Sequence, residues 1–82
     1  MIYVVEVKVM PLKELLDPQG KTVRGSLENL GIANISDVRI GKNILLSVDA
    51  DSIDEATKIA EQASQKLLAN PVMEYFEIVV HP

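Results

Sequence analysis

Hydrophobic and polar positions alternate from the start of the chain. Along residues 2–10, Tyr3, Val5, Val7 and Val9 fall on one side of a two-residue period, and Ile2, Val4, Glu6 and Lys8 on the other. This period, carried by β-branched residues, predicts a strand with one wholly apolar face. The second face is apolar at Ile2 and Val4 and charged at Glu6 and Lys8, so half of it also suits burial. Pro11 ends the strand, and residues 12–16 form a short connection.

Asp17-Pro18 then reads as a helix start. Asp17 can accept hydrogen bonds from the free amides of a first turn, and Pro18 at the first helical position loses no bond by lacking an N–H. The helix, over about residues 18–30, carries Val23, Leu27 and Leu30 as a narrow apolar stripe. Gly20 and Gly25 cost about 1 kcal/mol each relative to Ala, which points to a close approach of this helix to the sheet. Gly31 stands where a left-handed residue commonly closes a helix.

Residues 35–40 alternate again and predict a second strand, and residues 44–49 a third. Gly41, Lys42 and Asn43 between them predict a hairpin turn with Gly first. The continuous run Ile44, Leu45 and Leu46 suggests a strand covered on both faces. Ser52 with Glu55 three residues on forms a capping box. Ile53, Ala56, Ala60, Ala63 and Leu67 follow at helical spacing, a face of small residues suited to lying close on a sheet. Asn70-Pro71 stops this helix, and residues 74–80 alternate as a fourth strand.

The order is β-α-β-β-α-β. With right-handed crossovers, its simplest solution is an α+β, ferredoxin-like domain: a four-stranded antiparallel sheet with both helices on one face. The 82 residues make a single domain, because a chain of this length has room for one core only. The sheet's other face is then open, with Ile2, Val4, Tyr75 and Val79 forming an apolar patch suited to a partner.

Composition narrows the function. The chain is 48% hydrophobic but only 4% aromatic, so the core is aliphatic. Net charge is −4, which argues against nucleic acid, and rings on which bases could stack are few. Without cysteine there is no disulfide, zinc ribbon or iron–sulfur site. No apolar run approaches the roughly 20 residues that span a bilayer, and the start lacks the features of a signal peptide. A soluble, cytoplasmic location is expected.

Candidate chemistry is thin. Gly20-Lys21-Thr22 has the ending of a phosphate loop, but Leu15 stands where the first glycine of that motif belongs. His81 is next to last and reads as a frayed terminal residue. Asp49, Asp51 and Asp54 span a strand end and a helix start, where Asp serves capping, and they lack calcium-loop spacing. Arg39 and Lys42 flank the expected turn as exposed charges. No nucleophile–base pair is visible, so no catalytic, cofactor or metal-binding residue is expected.

Three segments carry a resemblance: Leu16-Asp17-Pro18-Gln19-Gly20, Ser36-Asp37-Val38-Arg39-Ile40-Gly41-Lys42, and Leu67-Leu68-Ala69-Asn70-Pro71-Val72. Together, in this order and over nearly the whole chain, they resemble the PurS family, the small subunit of phosphoribosylformylglycinamidine synthase. The chain differs from that pattern in the connection after Pro11, where the family often carries a Lys-Pro-Gly turn. The resemblance implies a non-catalytic subunit of a purine-biosynthetic ligase complex. That complex converts formylglycinamide ribonucleotide, glutamine and ATP into formylglycinamidine ribonucleotide, glutamate, ADP and phosphate. A large synthetase subunit (PurL) would bind ATP and Mg, and a glutaminase (PurQ) would release ammonia. The small subunit, as a dimer or tetramer, would bridge the two and bind no cofactor itself. The expected subunit interfaces are the open face or an edge strand (Ile2, Val4 and Val79) for self-association. Asp17, Gln19, Lys21, Arg39 and Lys42 would face the larger subunits.

Two other functions share this topology. A regulatory amino-acid-binding module usually places glycine between the first strand and first helix, and none precedes Gly20 here. An acyl phosphatase would need an Arg-bearing phosphate cradle in the same junction, which lacks one.

Overall fold

The computed structural model describes residues 1–81. Three strands form one antiparallel sheet: β1 (Ile2–Pro11), β2 (Lys42–Asp49) and β3 (Glu74–His81), in the order β2-β1-β3. Helix α1 (Pro18–Asn29) follows β1, and α2 (Ile53–Ala63) follows β2, running on into a π-helical turn at Ser64–Leu68.

The period of β1 determines the core. Tyr3, Val5, Val7 and Val9 are buried, flanked on the same face by half-buried Ile44, Leu46, Phe76, Ile78 and Val80. α2 lies across this face through Ala56 and Ala60, both wholly buried, and their small side chains permit a close approach. Ser52 caps α2 by accepting from the Glu55 amide at 3.1 Å, and Glu55 reaches back to the Asp51 amide at 3.3 Å.

The buried stripe of α2 departs from its expected line. It continues through Ser64, whose hydroxyl donates to the Ala60 carbonyl at 2.8 Å, to half-buried Leu68. The extra residue in the π-helical turn rotates the face by part of a turn. Leu67, expected inside, is 83% exposed.

Residues 35–40 form no strand, and no hairpin forms at residues 41–43. Residues 32–41 run without a turn or bend into β2, which begins at Lys42 rather than at Ile44. Alternation gives a segment its preference for extended chain, but a strand must also lie beside an edge, and without a turn before Lys42 residues 35–40 run on into β2 instead of folding back along its open side. The sheet of one chain therefore has three strands, not four. Leu45 is exposed on the open face, so β2 is covered on one face only.

α1 also departs from expectation. It begins at Pro18 and closes at Gly31, whose φ of 86° is the only positive one among the described residues. Yet it does not lie on the sheet beside α2. Only Gly20 is buried along its length, and Val23 and Leu30 of its apolar stripe face solvent. The chain spans 50 Å along its longest axis, with a radius of gyration of 16.1 Å. A compact domain of this length would have about 12 Å.

Candidate functional site

Two of the segments singled out in the sequence meet where β1, the start of α1 and the approach to β2 converge. Asp17 is the meeting point. One carboxylate oxygen accepts from the Gly20 amide at 3.0 Å, capping α1, and the other accepts from the Ile40 amide at 2.8 Å. These amides, Ile40 first, hold the Asp17 carboxyl below the usual carboxylate range. The same hydrogen bonds that favour the ionised form tie α1 to residues 38–40.

The glycines of both segments are required by close contact. A Cβ on Gly20 would overlap the Val38 carbonyl. On Gly41 it would run into Met10 and the Val9 carbonyl at the end of β1. Gly41 therefore serves the straight passage of the chain past β1, not the turn expected of it. Gly25 meets nothing within 4 Å, so its expected close approach does not occur.

Arg39 completes the junction. Its guanidinium donates to the carbonyls of Pro11 and Leu12, each at 2.8 Å, and more weakly to Lys13 at 3.4 Å. The planar fork gathers the loop after β1 in a way a Lys could not. Arg24 makes a second clamp, its Nε donating to the Ile35 carbonyl at 3.0 Å. Asp17 and Arg39, expected to face the larger subunits, are thus engaged by their own chain. Gln19 and Lys21 are exposed on the first turn of α1, and Lys42 stands 3.8 Å from Glu74. A groove of about 490 Å³ runs between Ile40 and the α1 residues Pro18, Gln19, Thr22 and Val23.

On the open sheet face, Ile2, Val4, Tyr75 and Val79 are all exposed, as their alternation indicates, and Leu45 joins them. His81 is no frayed terminus. It pairs with β1 in the ladder and lies 2.7 Å from Glu6, holding that carboxyl below its usual range. Among the described residues no three His, Asp or Glu side chains converge as metal ligands. Asp49 takes the terminal amino group of Met1 at 3.2 Å instead.

Arg24, Leu45 and the Glu6–His81 pair were not visible as site residues in the sequence. The first depends on a contact eleven residues away and the last on one of seventy-five. Alternation alone could have exposed Leu45, had β2 been read as one-faced.

The site is thus a structural junction that aims a projecting arm, the mark of a small interaction subunit on an α+β scaffold. The amides at the start of α1 are occupied by Asp17 and the loop before it is filled by Arg39, which disfavours an amino-acid-binding module. The chain belongs to the PurS family, the small subunit of phosphoribosylformylglycinamidine (FGAM) synthase: the family model matches residues 4–82. The Mycobacterium leprae PurS subunit is 43% identical over 72 residues, covering 88% of this chain and 87% of its own. The Bacillus subtilis subunit is 35% identical over 79 residues, covering 96% and 93%. Among solved structures, a chain of the PurLQS structure from Thermotoga maritima superposes with a TM-score of 0.92 at 28% identity, over 99% of both chains. The Methanocaldococcus jannaschii PurS structure gives 0.87 at 32% identity, over 96% of this chain and 95% of its own. None of the described helices is long and apolar enough to cross a membrane.

Proposed function

We propose that this chain works as the non-catalytic bridge of an FGAM synthase, joining a PurL-type synthetase to a PurQ-type glutaminase so that ammonia passes from one to the other. The observation that carries this reading is the near-complete superposition on a chain of the PurLQS structure. An extended arm and an open apolar sheet face give one small chain separate surfaces for separate partners, as a bridge requires. ATP and Mg belong to the synthetase, and this chain binds no cofactor. Its place is the cytoplasm, with the soluble substrates of the reaction.

Self-association is part of the proposal. The chain exposes 5883 Å², while a compact monomer of 9.0 kDa exposes about 4,900 Å². The excess is about the area that one partner contributes to a standard interface, roughly 800 Å². A dimer or tetramer accounts for this surface, and in it the fold would complete its four-stranded, ferredoxin-like form.

Sedimentation of the purified subunits tests the bridge. A particle containing synthetase and glutaminase is expected only when this chain is added. Assembly of the two large subunits without it, with this chain sedimenting alone, would overturn the proposal.

A further inference from the structure

We infer that the open sheet face is a docking site for one of the two larger subunits, and that this partner seats an arginine or lysine against Glu6 at its centre. This rests on the bridging role proposed above and names a surface that performs it.

The register of the sheet composes the face. Glu6 lies on the central strand, level with Leu45 of β2 on one side and Val79 of β3 on the other. Val4 precedes it on the same face of β1, and Ile2 and Tyr75 extend the apolar surface towards the two ends of the sheet. Ile2 and Leu45 are 58% and 65% exposed. The solvated face of an antiparallel sheet is ordinarily polar. Here large aliphatic side chains surround an acid, the composition of a contact surface and not of a wetted one. The face is also clear of the chain's other elements. α2 covers the opposite side of the sheet, and Asp17 and Arg39 are engaged in the junction beyond Pro11.

Glu6 determines what kind of surface fits. Its side chain is only 25% exposed even with the face uncovered. The His81 imidazole, 2.7 Å away, keeps the carboxyl below its usual range, so it meets a partner ionised. That imidazole brings a full positive charge only when both ring nitrogens carry protons. Among the described residues no Lys or Arg of the chain pairs with Glu6. An entirely apolar partner would therefore bury a carboxylate without a counter-charge, at a cost that offsets much of the area gained. A second copy fares worse. A two-fold contact of this face with itself brings two carboxylates towards its middle, between chains that each carry a net charge of −4. A cationic side chain set among aliphatic contacts satisfies both parts of the face, and the planar guanidinium of arginine matches a carboxylate best.

The affinities of the chain for the synthetase and for the glutaminase, measured separately by sedimentation, test this. Glu6→Gln is nearly isosteric and is expected to weaken binding of one subunit by at least about tenfold, as loss of one member of a buried ion pair does. Glu6→Arg is expected to abolish that binding, while the other subunit holds both variants as it holds the native chain. His81→Gln, which keeps an N–H donor for Glu6, is expected to weaken it less than Glu6→Gln. Unchanged affinity of Glu6→Gln for both subunits would overturn the inference. So would native binding that strengthens as pH falls through the range in which imidazole takes a proton, with no such rise in His81→Gln, because the positive charge would then be the chain's own. Loss of self-association in Glu6→Arg would give the face to a second copy and overturn it as well.

Carbodiimide labelling of the unaltered chain avoids any folding defect of the variants. Glu6 is expected to react in the isolated chain and to be shielded by one subunit, and equal labelling with and without each subunit would overturn the inference. The two levels of the argument fail differently. A native chain that binds neither subunit removes the bridging role together with this inference. A native chain that binds both, with Glu6→Gln binding equally well, removes this inference alone.

Discussion

The Asp17 carboxylate accepts the Ile40 amide at 2.8 Å across 23 residues of sequence, while its other oxygen caps the helix that Asp17 itself begins. One side chain therefore fixes both where α1 starts and where the arm into β2 lies. Replacing Asp17 by Ala is expected to lower the urea midpoint and to speed exchange of the Gly20 and Ile40 amides. Asn, which keeps one acceptor, is expected to fall between the two. An Asp17→Ala chain with unchanged midpoint and exchange would contradict the junction.

The pH dependence follows from the same carboxylate. Its folded pKa is depressed below the ordinary 3.8, so its contribution to stability is full above that value and disappears as pH falls through the folded pKa. Glu6, depressed chiefly by the His81 hydrogen bond, acts in the same direction. Acid titration at fixed protein concentration is expected to destabilise the native chain more steeply than the double variant Asp17→Ala/Glu6→Gln. Parallel acid limbs would show that neither carboxylate differs between folded and unfolded states.

The glycines of α1 make a paired test. Gly20→Ala forces a Cβ into the Val38 carbonyl and is expected to cost about 1–3 kcal/mol, as overpacking does. Gly25→Ala meets nothing and is expected to stabilise the helix by about 0.5–1 kcal/mol. Chemical denaturation at one protein concentration reads both. Equal effects would mean that helix propensity alone governs these positions.

Arg39 separates folding from docking. Arg39→Lys keeps the charge but loses the fork that gathers Pro11, Leu12 and Lys13, and is expected to cost on the order of 2 kcal/mol. Lys42→Glu is expected to leave stability nearly unchanged, because an exposed pair such as Lys42–Glu74 contributes little. If Arg39→Lys is as stable as the native chain yet fails to join the large subunits, Arg39 is a docking residue after all.

Substitutions on the open sheet face discriminate between surfaces. Val4→Ser and Val79→Ser remove apolar area from that face without reaching the arm or the outer edge of β2. They are expected to leave the sedimentation of the isolated chain unchanged. Dissociation to monomers would place the self-interface on the open face.

Most elements were legible because their signals are local. The period of β1, the Asp17-Pro18 start and Gly31 close of α1, the Ser52 cap and the alternation of β3 each depend on neighbours within one or two turns. The fate of residues 35–40 was not, since alternation specifies extended chain but not which edge receives it. Leu67 and Leu68 exchanged roles because a single extra residue in the π-helical turn shifts a face that periodicity projects as regular. Arg39 and Lys42 looked alike as charges beside glycine. Only the carbonyls of the loop after β1, 26 to 28 residues back, set Arg39 apart. The Asp-Pro-Gln-Gly and Asp-Val-Arg-x-Gly-Lys pieces pointed to the family, and the structure accounts for them as two halves of one junction.

The most direct measurement is formation of formylglycinamidine ribonucleotide by the synthetase and glutaminase, with and without this chain, driven by glutamine in one series and by ammonia in the other. A bridge that delivers ammonia predicts that glutamine-driven turnover requires the chain and ammonia-driven turnover largely does not. Equal glutamine-driven rates in its presence and absence would contradict the account.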